Sequence, residues 1–359
     1  MTLHRIPFDA FGTRCHVVLD QPSVGAAWID ATAAIDEVQR IERTFSAMAP
    51  GSVVARLNRQ AGGAALRVDD ECLALLDEAD RLHRNSGGLF DPTVGALRRA
   101  WNFDVPDLPL WQEVQAALRS VGWHRVERDD ALVRLAQAGM ALDLGALLRG
   151  YAVDRAAALL QSLGVRRGYV EIGRRDVHVI GPQPDGRPWP LELHDPRWPE
   201  GTLATVPVSR GGLSTSTDAA QAIVVGSRRY CDLLDPRSGW PVSSWRHVSV
   251  AAPSAMQAGA LATVAMLARG EALARLAASG FDHLAIDAEG RTYARGAAWR
   301  ATEAREAPAD VTDTNVGGPG LLRPLPQAAA GGSGWRRYWG GPVRVSGGRA
   351  SPAAGLAAA

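Results

Sequence analysis

Residues 5–20 alternate apolar and polar side chains except at Phe11-Gly12-Thr13, a pattern that predicts a strand interrupted by a turn. The period then changes: Ile29, Ala33, Val38, Ile41 and Phe45 recur at helical spacing, which predicts a helix over Ala26–Phe45. A short helix restarts at Ser52 after the Pro50-Gly51 turn. Asp69–Ser86 reads as a further helix, capped by Asp69 or Asp70, with Leu73, Leu76, Ala79, Leu82 and His83 on one face. Next come a glycine-rich turn around Phe90-Asp91-Pro92-Thr93, a short helix containing Trp101, a helix over Leu110–Val121 and a hairpin over Val126–Leu135. The second half predicts a strand at Gly168–Gly181, strands within Trp189–Val208, a polar loop at Ser209–Thr217 and a strand at Ala222–Tyr230 turning at Gly226-Ser227. A tight turn at Asp235–Pro241, a strand at His247–Pro253, helices at Met256–Ala268 and Glu271–Ala278 and a strand pair over His283–Tyr293 complete it. These elements make an α+β chain of mixed sheets with flanking helices.

The stretch Met140–Gly164 joins a strand end, a turn and a long helix without interruption. Met140–Leu144 alternates, Gly145 breaks the strand, and Leu147, Leu148, Tyr151, Ala152, Leu159 and Leu163 form an apolar stripe that stops at Gly164. Asp143 therefore falls beside a glycine and the free N–H groups of a helix start, which suits a phosphate or a metal-bound phosphate. An ordinary strand-to-helix turn has the same composition, and the stretch alone leaves both readings open.

At 359 residues, 46% hydrophobic and 21% charged, the chain can bury a large core. A net charge of +1 gives no nucleic-acid footprint, and no apolar run approaches the roughly 18 residues of a membrane span. Every basic side chain other than histidine is arginine, which excludes lysine Schiff-base chemistry and a P-loop lysine. Cys15, Cys72 and Cys231 form no CxxC pair, so free thiols are expected. The stretch MTLHRIPFDAFGTRC has no apolar leader core, and Arg14 does not suit a lipoprotein cleavage site before Cys15; a cytoplasmic protein is expected. After Gly296 alanine, glycine, proline and arginine dominate without periodicity, predicting a folded domain over 1–296 and a disordered tail over 297–359. Within that tail Trp335, Tyr338 and Trp339 interleave with Arg336 and Arg337, a composition open to partner docking or to no role.

Several segments carry a family pattern in order: FGT at Phe11–Thr13, PGSVVARLN ending at Asn58, GGLFDPTVG from Gly87, and LDLGALLRGYAVD from Leu142. STS at Ser214–Ser216, DPRSGWP from Asp235 and SAMQAGALAT from Ser254 to Thr263 continue it. On these motifs the chain resembles the FAD:protein FMN transferase family, also called the ApbE or thiamine-biosynthesis lipoprotein family, over roughly residues 5–295. The resemblance implies a single α+β, T-fold-like domain. It also implies an enzyme in which a magnesium ion grips the FAD pyrophosphate and a threonine hydroxyl of an acceptor flavoprotein attacks phosphorus, so that AMP leaves and FMN stays on the acceptor. The alternative within the same resemblance is a non-catalytic FAD-binding relative.

By the same resemblance Phe11, Met48, Leu89, Phe90, Asp91, Asp143 and Arg149 would contact the flavin nucleotide. Ala146, through its carbonyl, and Thr263 would hold the metal, and Asp232 would stand where the family has a histidine before the DP turn. The departures fall on the same positions. The family's A-D-A-L-A-T becomes Ala258-Gly259-Ala260-Leu261-Ala262-Thr263, so Gly259 replaces the carboxylate that a hard divalent cation prefers. Arg174-Arg175 replace a di-glycine, Thr215-Ser216-Thr217 a T-S-G, and Arg149 a lysine.

Overall fold

The N-terminal alternation folds as a hairpin: β1 (Thr2–Ala10) and β2 (Thr13–Gln21) pair antiparallel from Thr2 with Gln21 to Ala10 with Thr13. Phe11 and Gly12 make the turn with φ of 51° and 68°, the left-handed conformation that two-residue hairpins favour. The computed structural model describes residues 2–195, 198–296 and 299–301. With strands numbered in chain order, the hairpin opens an eight-stranded sheet. It continues through β6 (Gly168–Ile172), β7 (Asp176–Gly181), β10 (Gly211–Thr217), β13 (Trp245–Ala252), β14 (Asp282–Asp287) and β15 (Thr292–Arg295). Smaller sheets join β3 (Leu66–Arg67), β5 (Leu132–Leu135) and β4 (Val126–Asp129); β11 (Ala222–Val225) and β12 (Arg228–Cys231); and β16 (Arg300–Ala301), β9 (Trp198–Val208) and β8 (Trp189–Asp195). The class is α+β, as expected. Among the described residues every ladder between these strands is antiparallel, and the bridge between Val94 and Ala141 is parallel.

Helices cover one face of the large sheet. In α1 (Val24–Phe45) the residues Ala27, Ala31, Ala34, Val38, Ile41 and Phe45 are all buried, and Ser23 caps the start by accepting from the Ala26 N–H at 3.2 Å. The helix packs on β2 and on α5 (Gly145–Ser162), which in turn packs on α6 (Ala255–Leu267), and α6 lies across β10 and β13. Gly150 permits the contact of α5 with α6, because a Cβ there would come within 2.7 Å of the Met256 backbone. Four residues on, Asp154 accepts from the N–H groups of Ala255 and Met256 at 2.8 and 3.0 Å, which fixes the start of α6 against α5. Outside this layer are α2 (Val53–Arg59), α3 (Asp70–Ser86), α4 (Trp111–Leu118) and α7 (Ala272–Ser279). The opposite face of the sheet buries Val177, Val179, Leu213 and Ile286 against Trp189, Leu191, Leu193 and Val206 of the β8–β9 sheet. No described helix is long and apolar enough to cross a membrane. Cys15, Cys72 and Cys231 are free and buried, and burial pushes their thiols up to about 11, 12 and 12.

Four elements differ from the sequence reading. Met140–Leu144 forms no strand: Ala141 makes an isolated bridge, and the Asn58 side chain serves Leu142 instead, accepting from its N–H at 2.7 Å and donating to its C=O at 2.9 Å. Gly168–Gly181 is a hairpin of two strands rather than one. The expected polar loop at Ser209–Thr217 holds β10, a central strand, because each hydroxyl has a partner: Ser214 with Asp176, Thr215 with Ser249, Ser216 with Thr263 and Thr217 with the Arg246 carbonyl. Finally, packing continues past Gly296, since Trp299 is buried against the β8–β9 sheet and Arg300–Ala301 pair with Thr205 and Ala204. The rest of the expected tail, including Trp335, Tyr338 and Trp339, lies outside the described residues.

Candidate functional site

The helix layer and the end of β10 enclose a cavity of about 710 Å³, lined by the first turns of α5, the inner side of α6 and the loops after β1, α1 and α3. Its α3 wall is built by hydrogen bonds to backbone. Gly87 and Gly88, at φ of 68° and 79°, reverse the chain at the end of α3. The turn is fixed by Ser86 accepting from the Phe90 N–H at 3.0 Å and by a His83 ring nitrogen 2.9 Å from the Phe90 carbonyl. Leu89 and Phe90 are thereby held as buried apolar lining, across from the partly buried Phe11. Asp91 accepts from the Thr93 N–H at 2.8 Å and hydroxyl at 2.5 Å with one oxygen, and from the Trp123 N–H at 3.1 Å with the other. Asp143 donates its N–H to Pro92 at 2.7 Å and accepts from the Gly145 N–H at 2.8 Å. Its second oxygen lies 3.9 Å from Arg98 Nε.

The α6 wall is built by charges on side chains. Arg149 donates from Nε to Asp176 at 2.9 Å, and Ser214 donates to the other Asp176 oxygen. Burial alone would lower the Arg149 pKa, but Asp176, with Asp232 and Asp143 farther off, reverses this and raises it. Gly259 faces this group: a Cβ built on it would stand 2.9 Å from Ser214 Oγ and 3.6 Å from the Ala146 carbonyl. The hydroxyls of Thr263 and Ser216 are 3.0 Å apart. Asp232 lies 3.4 Å from Arg98 Nη2, so one guanidinium stands between the two carboxylates Asp143 and Asp232. Arg175 also lines the cavity, and burial together with the neighbouring Arg149 lowers its pKa to about 10. Arg174 is exposed in the β6–β7 turn at φ 57°.

Phe11, Met48, Leu89, Phe90, Asp91, Asp143, Ala146, Arg149, Asp232 and Thr263, which the sequence singled out, all line this one cavity. Asp91 is also a turn anchor, its carboxylate taken up by the hydrogen bonds above. Sequence reasoning missed Arg98 and Glu42. For Arg98 the signal was the Arg98-Arg99 pair following the GLFDPTVG motif; the single turn Gly95–Arg99 aims Arg98 at the carboxylates and Arg99 at the Gly139 carbonyl. The divalent cation that the resemblance implies does not fit the donors present. No described group of three or more His, Cys, Asp or Glu could hold a metal, Gly259 supplies no carboxylate, Asp91 is taken up by its turn, and Arg98 already lies between Asp143 and Asp232.

A profile of the ApbE family matches residues 11–287. The FAD:protein FMN transferase of Treponema pallidum is 31% identical over 277 residues, 70% of this chain and 75% of that protein. The one of Rhodobacter capsulatus is 30% identical over 247 residues, 67% of this chain and 46% of that longer protein. Among solved structures, the ApbE protein of Thermotoga maritima superposes with a TM-score of 0.76 at 28% identity, covering 82% of this chain and 97% of that one. The flavinyl transferase ApbE of Pseudomonas stutzeri, in its apo form, gives a TM-score of 0.71 at 25% identity, covering 82% of this chain and 94% of that one.

Proposed function

The chain belongs to the ApbE family, and from that premise we propose that it is an FAD:protein FMN transferase acting on a threonine of an acceptor flavoprotein. What supports this reading is that side chains as far apart in sequence as Phe11 and Thr263 line one cavity of about 710 Å³, within the roughly 300–1,000 Å³ usual for ligand sites. The flavin takes the apolar side formed by Phe11, Met48, Leu89 and Phe90. The phosphates take the side of the α5 start, near Asp143, Arg149 and Arg175. The acceptor hydroxyl attacks the phosphorus on the FMN side of the pyrophosphate, the bond from that phosphorus to the bridging oxygen breaks, and AMP leaves with the bonding pair. Asp232, oriented by Arg98, takes the hydroxyl proton.

Incubating the full chain with FAD and an acceptor domain, then measuring intact mass, tests this. The acceptor should gain one FMN less one water, and a threonine-to-alanine acceptor should gain nothing. Asp232→Asn should slow transfer by about a hundredfold or more while FAD fluorescence titrations stay unchanged. Absence of any mass gain, with magnesium or without it, overturns the reading.

A further inference from the structure

Three guanidinium groups line the cavity, and two are committed. Arg98 lies between Asp143 and Asp232, and Arg149 is paired to Asp176. Arg175 has no carboxylate within ion-pair distance among the described residues; Arg149 acts against its charge, while Asp176 and Asp232 favour it from beyond that distance. A guanidinium that lines the cavity with no ion pair of its own keeps its donors available for an anionic ligand. Gly259 is the complementary change. Arg175 precedes Asp176, Asp176 pairs in register with Ser214, and Ser214 Oγ occupies the space next to Gly259. Position 259 offers no carboxylate beside the Ala146 carbonyl, and the guanidinium of Arg175 lines the same cavity.

We propose that Arg175, seconded by Arg149, supplies the positive charge a divalent cation would otherwise bring, so that this protein holds a pyrophosphate group without metal. The inference rests on the cavity being a dinucleotide site, and it concerns the charge that binds the phosphates rather than the transfer itself. A planar guanidinium meets two phosphate oxygens at once, and its charge does not depend on a carboxylate at position 259.

ADP carries the pyrophosphate without a flavin, so calorimetric titration of ADP into the full chain, once in EDTA and once in millimolar MgCl2, isolates the point. The parent Kd should agree between the two conditions within about twofold. Arg175→Gln should weaken ADP binding by about ten- to a hundredfold, the size expected for a charge-assisted bidentate contact. Arg174→Gln, exposed in the adjacent turn, should bind as the parent does. A parent Kd at least tenfold tighter in MgCl2, an Arg175→Gln variant that binds like the parent, or no ADP binding in either condition overturns the proposal; the parent comparison alone decides it if Arg175→Gln does not fold. Metal-independent ADP binding without flavin transfer would sink the transferase reading and leave this one standing, whereas flavin transfer with ADP binding that requires MgCl2 would do the reverse.

Discussion

On the α3 side of the cavity Asn58, Asp91 and Asp143 direct their side-chain oxygens to backbone N–H groups, while on the α6 side the carboxylate of Asp176 accepts from two side chains, the Ser214 hydroxyl and the Arg149 guanidinium. The difference bears on where a sequence can drift. A carboxylate that fixes two or three backbone N–H groups has no substitute at another position, because those donors are set by the path of the chain. A cluster of side-chain charges can be rebalanced, one cation replacing another, so long as the sum and the rough placement survive. Of the segments that match the family pattern, FDPTVG and DLG lie on the first side, and STS and SAMQAGALAT on the second. The departures Gly259, Arg149 and Arg175 lie on the second.

The largest expected effect tests the first side. Asp91→Ala strands the buried N–H groups of Thr93 and Trp123 and the Thr93 hydroxyl, and should cost about 3–4 kcal/mol in urea unfolding. Flavin binding should fail with it, since Leu89 and Phe90 precede the same turn. A loss below about 1 kcal/mol would mean that the backbone path holds without its carboxylate, and the contrast between the walls would collapse.

Asp176→Ala probes the second side and should cost less, about 2 kcal/mol, because Asp143 and Asp232 also act on Arg149 and share its charge. Removing both partners, with Asp176→Ala and Arg149→Met together, should recover part of that loss, since no cation is then left buried without its main partner. A double variant that is worse than the sum of the singles would show that the charge cluster is as fixed as the backbone anchors.

How much of this was legible in the sequence follows the same division. The helix after Gly145, the turn at Phe90-Asp91-Pro92-Thr93 and the position of Asp143 were readable, because glycine, proline and a 3.6-residue stripe act locally. β10 was not: GGLSTST has the composition of a loop, and it is a central strand only because Asp176, Ser249, Thr263 and the Arg246 carbonyl, all distant in sequence, satisfy its hydroxyls. Nor could the sequence choose between Arg174 and Arg175, since the register of the β6–β7 hairpin decides which one turns to the cavity and which to solvent. Trp299 went unread for a related reason. A single tryptophan without periodicity gives no signal until the β8–β9 sheet that covers it is known.

The smallest expected effect comes from Gly259→Asp, and it bears most directly on whether the α6 wall has exchanged its cation. The added Cβ would press Ser214 Oγ at 2.9 Å, so that side chain must shift while keeping its bond to Asp176. The new carboxylate would also face the Ala146 carbonyl and lie near the Asp176 charge, both repulsive. A loss of about 1 kcal/mol is expected, read as a fall of a few degrees or less in Tm for a chain of this size. The informative measurement is the response to magnesium. In the parent, millimolar MgCl2 in place of EDTA should leave Tm unchanged, because position 259 places no carboxylate beside the Ala146 carbonyl. In Gly259→Asp the carboxylate, the Ala146 carbonyl and the Thr263 hydroxyl would together form an oxygen site, and magnesium bound only to the folded chain should return part of the lost stability. Combining Gly259→Asp with Arg175→Gly removes the competing guanidinium and should enlarge the magnesium-dependent rise. A parent that already gains several degrees in MgCl2 would show that the wall never gave up its metal, and a Gly259→Asp variant indifferent to magnesium with Arg175 removed would show that the missing carboxylate was not what kept the ion out.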